Sequence, residues 1–322
     1  MKAIVQDKFG SPHDVLKLED IDKSVVKEDE VLVRVHAASV HIGDSYAMRG
    51  VPYVMRPVFR MSRAKNRVPG TDIAGAVEAV GKSVTLFEPG DEVFGWCKGA
   101  FAQYVAVSQD ALAAKPANLT FEQAAAVGVS AFTALQALRD HGNVEPGQKV
   151  LVVGASGGVG TFAVQIAKSL SAEVTGVCST RNVDMVRSIG ADHVIDYTEE
   201  DFTRSGQPYD LILDNIGNHS LSETRAALTP DGTLLANGAP VGGWVGGLGH
   251  PVKAFMSSLF VSRQGRPFVS MPNKDDLATL RELVEAGKVT PVIDQTYPLS
   301  QTAEAMAHVG EGHAQGTTVI TM

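Results

Sequence analysis

The sequence predicts an α/β protein of two units: a compact, barrel-like β unit and a doubly wound parallel sheet covered by helices on both faces. Three observations predict it. At 322 residues the chain exceeds a typical single domain. Its first third carries short strand-like pieces separated by glycine, proline and aspartate. From Thr120 onward, strands alternate with helix-length segments, as a parallel sheet requires.

Lys2-Ala3-Ile4-Val5 is strand-like, and further strands are expected at Val31–Ala37, Ile73–Val80, Asp91–Gly95 and Gln103–Val107. Val31, Val33 and Val35 alternate with positions that include Arg34 and His36, the period-two pattern of a half-buried strand. Thr120-Phe121-Glu122-Gln123 has the form of a capping box and precedes an alanine-rich helical run, so a domain boundary is expected near residue 125. Then follow strand Lys149–Val153, helix Val159–Leu170, strand Glu173–Cys178, helix Val183–Ile189, and strands His193–Ile195, Tyr209–Asp214 and Thr233–Asn237. The glycine-rich stretch Val241–Gly249 reads as a connecting loop. A helix over Asp275–Ala286 places Leu277, Leu280, Leu283 and Val284 on one face, and a last strand is expected at Thr317–Thr321.

Composition excludes several classes. A hydrophobic content of 44% and a charged content of 20% belong to an ordinary globular chain. The net charge of -8 opposes broad attraction to nucleic acid or to anionic lipid, so neither is an expected partner. Cys97 and Cys178 make neither a disulfide framework nor a CxxC pair, and no signal peptide is evident, which points to a reducing, cytoplasmic setting. Ala124–Leu138 is interrupted by Ser130, Thr133 and Gln136, and reads as a buried helix, not a membrane span.

Chemistry enters at Gly154-Ala155-Ser156-Gly157-Gly158-Val159-Gly160, between the apolar strand Val150–Val153 and a helix. Glycines let the backbone turn tightly and approach a pyrophosphate, whose charge then meets the N–H groups and positive end of the helix. Ala155, Ser156, Gly157, Gly158 and Val159 are therefore expected to hold a dinucleotide. The following strand ends in Val177-Cys178-Ser179-Thr180-Arg181-Asn182. No carboxylate stands there to hold a ribose 2′-hydroxyl or repel a 2′-phosphate. Ser179, Thr180 and Arg181 offer donors suited to that phosphate, so NADPH is the expected cofactor.

These segments resemble the medium-chain dehydrogenase/reductase superfamily, specifically its zinc-independent quinone oxidoreductase branch. The likeness runs over nearly the whole chain. It is carried by Ala38-Ser39-Val40-His41-Ile42-Gly43-Asp44, Pro69-Gly70-Thr71-Asp72-Ile73-Ala74-Gly75, Gly90-Asp91-Glu92-Val93, Gly190-Ala191-Asp192-His193-Val194-Ile195-Asp196-Tyr197 and His313-Ala314-Gln315-Gly316-Thr317-Thr318-Val319-Ile320. The resemblance implies a Rossmann dinucleotide-binding domain over 126–270, a GroES-like β-barrel catalytic domain over 1–125 and 271–322, and a homodimer.

In zinc-containing relatives a cysteine, a histidine and a cysteine hold the catalytic metal, and the matching positions here are His41, Thr71 and Val129. Valine cannot ligate zinc and threonine is a poor ligand, so no metal is expected. The resemblance places Thr133 near the nicotinamide, Tyr197 near the adenosine, and Gly238 and Phe260-Val261 as backbone contacts to the nicotinamide half. Gln315 stands where relatives often carry arginine. His41, in a position usually held by asparagine, is the candidate proton donor, with Tyr46 and Tyr53 as further catalytic candidates bordering the substrate pocket.

Without a Lewis acid, the chemistry implied is NADPH-dependent reduction of quinones or α,β-unsaturated carbonyl compounds by direct hydride transfer. Two alternatives stay open: a metal-free carbonyl or alcohol dehydrogenase, and a non-catalytic NADPH-binding protein with a crystallin-like or RNA-binding role. The basic stretch Arg49, Arg56, Arg60, Arg63, Lys65 and Arg67 reads as a solvated loop beside the cleft.

Overall fold

The computed structural model describes residues 1–51, 53–237, 266–267, 270–312 and 314–322. Gly238, Phe260, Val261 and the stretch Val241–Gly249 lie outside the described residues.

An antiparallel ribbon of β1 (Lys2–Gln6) and β2 (Leu16–Asp20) flanks a seven-stranded sheet. That sheet contains β3 (Glu30–Val40), β4 (Asp72–Val80), β5 (Glu92–Trp96), β6 (Tyr104–Ser108) and β7 (Leu112–Ala114). The chain returns late to add β14 (Ile293–Pro298) and β15 (Thr317–Thr321). The strand order is β14-β15-β3-β4-β5-β7, with β6 paired to β3. Val31, Val33 and Val35 are buried and Arg34 is exposed, as the alternation requires. The pairing of β3 with β4 slips between Val35 and Ala37, where the intervening His36 stacks its ring on Phe121 at 4.3 Å.

The second sheet is wholly parallel. It runs β10 (His193–Asp196), β9 (Glu173–Cys178), β8 (Lys149–Val153), β11 (Tyr209–Asp214), β12 (Leu228–Ala236) and β13 (Arg266–Pro267). Strand order reverses between β8 and β11, the switch point at which doubly wound folds seat a ligand beyond the carboxyl ends of the strands. Val150, Leu151, Val152 and Val153 are all buried because helices cover both faces, which is why this strand reads as an unbroken apolar run.

Helices α1 (Pro12–Val15), α2 (Ile42–Arg49) and α3 (Arg56–Lys65) belong to the first unit. α4 (Phe121–Gln136) joins the units, followed by α5 (Gly158–Ser169), α6 (Val183–Ser188), α7 (Leu221–Ala226), α8 (Lys274–Glu285) and α9 (Thr302–Gly310). The capping box at the start of α4 is present: Gln123 N donates to Thr120 Oγ1 at 3.2 Å and Thr120 N to Gln123 Oε1 at 3.0 Å. α4 packs against β3, β4 and β5 on one side and α5 on the other, so the expected boundary near residue 125 falls inside a helix shared by both units. A single buried cluster runs from Ala37, Ala74 and Phe94 through α4 to Val150, Val152 and Phe162.

The basic stretch differs from expectation. Residues Arg56–Lys65 form a helix, not a loop, with Pro57 in its first turn, where a missing N–H costs nothing. Arg56 turns back onto the protein, its guanidinium 4.3 Å from the Tyr53 ring centre and its Nε donating to Gly50 O. Among the described residues no helix is long and apolar enough to cross a membrane.

Candidate active site

The glycine turn is built as the sequence requires. Gly154 takes φ +74, and the N–H groups of Gly154 and Ala155 both donate to Val177 O at the end of β9. Gly157 caps α5, leaving the first N–H groups of the helix without partners in the helix itself. A Cβ on Gly160 would lie 2.1 Å from Gly154 O, so the helix sits on the turn as closely as backbone permits.

Two other segments close on the turn. From the β15 side, Gly316 N donates to Ser156 O at 2.8 Å, and Gly316 bridges Gly157. From α4, Ser130 Oγ lies 3.0 Å from the place a Cβ on Gly158 would take.

The neighbour of Ser130, Val129, lines a cavity of about 450 Å³ together with Thr71, Trp96, Cys97, Lys98 and Pro272. Behind its wall lies a polar cluster that the chain collects from β3, the start of α2, β4 and α4. His41 Nε2 is 2.7 Å from Thr71 Oγ1 and 3.3 Å from Asp44 Oδ2, while Asp44 also accepts the His41 backbone N–H at 3.1 Å. Asp72, 2% exposed, accepts Ser39 Oγ and Val129 N through Oδ2, each at 2.9 Å, and its Oδ1 has no partner.

A glycine makes this cluster possible. α4 breaks helical geometry at Gly128 (φ −19, ψ −132), which frees the N–H of Val129 for Asp72. A Cβ on Gly128 would fall 2.0 Å from Asp72 Cγ. Burial raises the Asp72 carboxyl to about 6, against the opposing pull of His41 and the Val129 N–H. Burial raises Asp44 in the same direction. Burial also pushes the Cys97 thiol up, reinforced by Asp72 and Asp44, so this cavity-lining sulfur stays protonated and is a weak nucleophile.

The expected site residues separate into groups. Ala155, Ser156, Gly157, Gly158 and Val159 form the turn, with Ser179 at the end of β9 beside it. Thr180 is directed elsewhere, its Oγ1 lying 3.1 Å from Thr198 Oγ1, and Arg181 is exposed. Thr133 donates its hydroxyl proton to Val129 O at 2.8 Å, so that proton serves the kinked helix. Tyr197 is 58% exposed. Tyr46 and Tyr53 do not line the cavity: Tyr46 is half-buried in α2, and Tyr53 lies under Arg56. His41 reaches the cavity through Thr71.

Comparison with known proteins places this geometry. The model of the alcohol dehydrogenase GroES-like domain matches residues 27–117, and that of a zinc-binding dehydrogenase matches residues 189–320. A mitochondrial NAD(P)H oxidoreductase of Bos taurus is 35% identical over 100% of this chain and 89% of its own length. The chain belongs to the medium-chain dehydrogenase/reductase superfamily, in its quinone oxidoreductase-like branch. A chloroplastic NADPH-dependent alkenal/one oxidoreductase of Arabidopsis thaliana is 32% identical over 99% of this chain and 79% of its own. The structure of a quinone oxidoreductase from Coxiella burnetii superposes with a TM-score of 0.88 at 29% identity, covering 100% of this chain and 99% of that one. The protein is an oxidoreductase with a nicotinamide cofactor.

For this quinone oxidoreductase-like protein, sequence reasoning missed three participants. Asp72 precedes the expected strand Ile73–Val80 and enters the sequence reading only as part of the Pro69–Gly75 segment. Gly128 looked like a neutral member of an alanine-rich helix, although glycine inside a helix is itself a signal. Asn182 closes the Ser179-Thr180-Arg181 segment, and its buried amide donates to Ser156 Oγ. Nothing local shows that contact, because Ser156 lies in another loop.

Proposed function

We propose that this oxidoreductase uses NADPH to reduce quinones or α,β-unsaturated carbonyl compounds by direct hydride transfer, without a metal. The observation that carries the reading is the His41–Thr71 pair, 2.7 Å apart, at the wall of a cavity otherwise lined largely by Trp96, Val129, Pro272 and other apolar groups. Zinc does not fit there. The three positions that match the zinc ligands of relatives offer one imidazole, a hydroxyl already bonded to it, and a valine without a donor atom, short of the three protein ligands of a catalytic zinc. Among the described residues no three His, Cys, Asp or Glu side chains are grouped to hold a metal. The zinc in the description of one matching family model is thus not carried over to this chain.

Nicotinamide, when bound, supplies the hydride. The chain's own residues do the rest. The turn from Gly154 to Gly160 and the start of α5 hold the phosphates, and the apolar cavity wall gives the acceptor a surface to pack against. Thr71 presents a hydroxyl to the oxygen of the acceptor, and His41 stands behind it to replace the proton that leaves. Quinones and enones suit such a site because their developing phenolate or enolate spreads its own charge and needs only a hydrogen-bond donor. The similarity to an NADPH-dependent alkenal/one oxidoreductase of Arabidopsis and a quinone oxidoreductase of Coxiella supports that substrate class.

Consumption of NADPH and NADH against quinones, enones, simple aldehydes and alcohols tests the reading, with metal content measured on the same preparation. NADPH consumed with quinones or enones by zinc-free protein is the expected result. Stoichiometric zinc, or activity confined to alcohols, overturns it. Tight NADPH binding without turnover of any acceptor points to the non-catalytic alternative.

A further inference from the structure

Between the glycine turn and the end of β9 lies a buried amide with two hydroxyls on it. Asn182 is 4% exposed. Its Nδ2 donates to Ser156 Oγ at 2.8 Å and to Ser179 Oγ at 3.3 Å. Its Oδ1 is buried and makes no hydrogen bond.

The polarity of this triad has a consequence. An amide nitrogen carries two protons, and both are committed to hydroxyl oxygens. A serine oxygen that accepts from Asn182 still owns one proton, which must point elsewhere. Ser156 and Ser179 are both partly exposed, so each turns an O–H donor toward the solvent side of the turn. Two converging donors suit an oxyanion. The reverse amide orientation would have Oδ1 accept both serine protons, leaving only lone pairs to face a ligand, an arrangement that repels an anion. The neighbouring hydroxyl does not compete, because Thr180 is tied to Thr198 and to Asp196, whose carboxyl those hydrogen bonds hold below the usual range.

We propose that Asn182 is a positioning residue that fixes Ser156 and Ser179 as hydrogen-bond donors to the 2′-phosphate of the cofactor, so that preference for the phosphorylated dinucleotide depends on its amide. This rests on the NADPH reading above, and the probes are chosen to separate the two. Binding of 2′,5′-ADP, 5′-AMP, NADPH and NADH is measured by calorimetric titration on wild type, Asn182→Ala and Asn182→Asp.

Wild type is expected to favour 2′,5′-ADP over 5′-AMP. Asn182→Ala loosens 2′,5′-ADP and NADPH by about tenfold and leaves 5′-AMP and NADH within about twofold. Asn182→Asp, which can only accept from both serines, removes the preference altogether. An equal loss for all four ligands, or an unchanged preference in both variants, overturns the role of Asn182. Absence of any preference in wild type overturns the NADPH reading instead. Should thermal melts show that the Asn182 variants do not fold, Ser156→Ala, Ser179→Ala and their double variant carry the test. Loss of 2′-phosphate preference is then expected in each, with the double no worse than the product of the singles, and preserved preference in the double sinks the proposal.

Discussion

At the glycine turn the groups on offer are neutral: the first N–H groups of α5 and, in the proposal above, the hydroxyls of Ser156 and Ser179 held by the Asn182 amide. At the His41 cleft charge is met by side chains, with Asp44 and Asp72 buried around one imidazole and one hydroxyl. The first region welcomes an anion that arrives with the cofactor. The second holds anionic groups of its own at a cost in desolvation, visible in the raised Asp72 carboxyl. Regions that receive charge can be built from backbone geometry with a few neutral donors. Regions that handle protons need titratable groups in a dry place.

Substituting the residue that seats the helix on the turn breaks this contrast most severely. Gly160→Ala places a Cβ 2.1 Å from Gly154 O, a backbone contact that no rotamer relieves. A stability loss of about 4 kcal/mol is expected, with no measurable NADPH or NADH binding in whatever fraction folds. Chemical denaturation and fluorescence titration check both, and wild-type affinity for either dinucleotide would show that the close approach of helix and turn is not required.

Asp72 tests the cleft through pH. Its folded-state value, raised from 3.8 to about 6, means that the folded protein holds this proton more tightly than the unfolded chain. The stability it contributes is complete below 3.8 and lost as pH rises to about 6, a penalty on the order of 3 kcal/mol that is flat above that window. In Asp72→Asn the fall in stability between pH 4 and 6 is expected to flatten by about one proton's worth. Denaturant melts across that range read it, and an unchanged slope would place the titration elsewhere.

The smallest effect separates the regions most cleanly. Thr71→Val removes the hydroxyl between His41 and the cavity at nearly constant volume. A fall in kcat of about tenfold is expected with the Kd for NADPH unchanged. A fall in cofactor affinity at constant kcat would instead assign Thr71 to the binding half.

The two regions also differ in how far the sequence discloses them. The turn is legible because its parts are contiguous: an apolar strand, seven residues from Gly154 to Gly160, and a helix, each with a local physical signature. The cleft is not, because His41, Thr71, Asp72, Gly128 and Val129 come from three elements, and their meeting depends on the kink in α4. Helix α3 escapes for another reason. Proline stands at its start, and of its apolar residues Val58 and Met61 are exposed while Phe59 is half-buried, so no continuous buried stripe announces a helix.

By itself the sequence determined the class of the fold, most strand positions and the dinucleotide turn, since these follow from periodicity and backbone freedom over a few neighbouring residues. It also carried the expectation that His41, Thr71 and Val129 hold no zinc, since ligand chemistry belongs to residue types. Only the tertiary structure decided that Thr71 lines the cavity with His41 bonded to it, that Tyr46 and Tyr53 are not among its lining residues, and that Asn182 joins Ser156 to Ser179. Hydrogen-bond direction and burial depend on which distant segments pack together, and short-range sequence patterns carry no record of that.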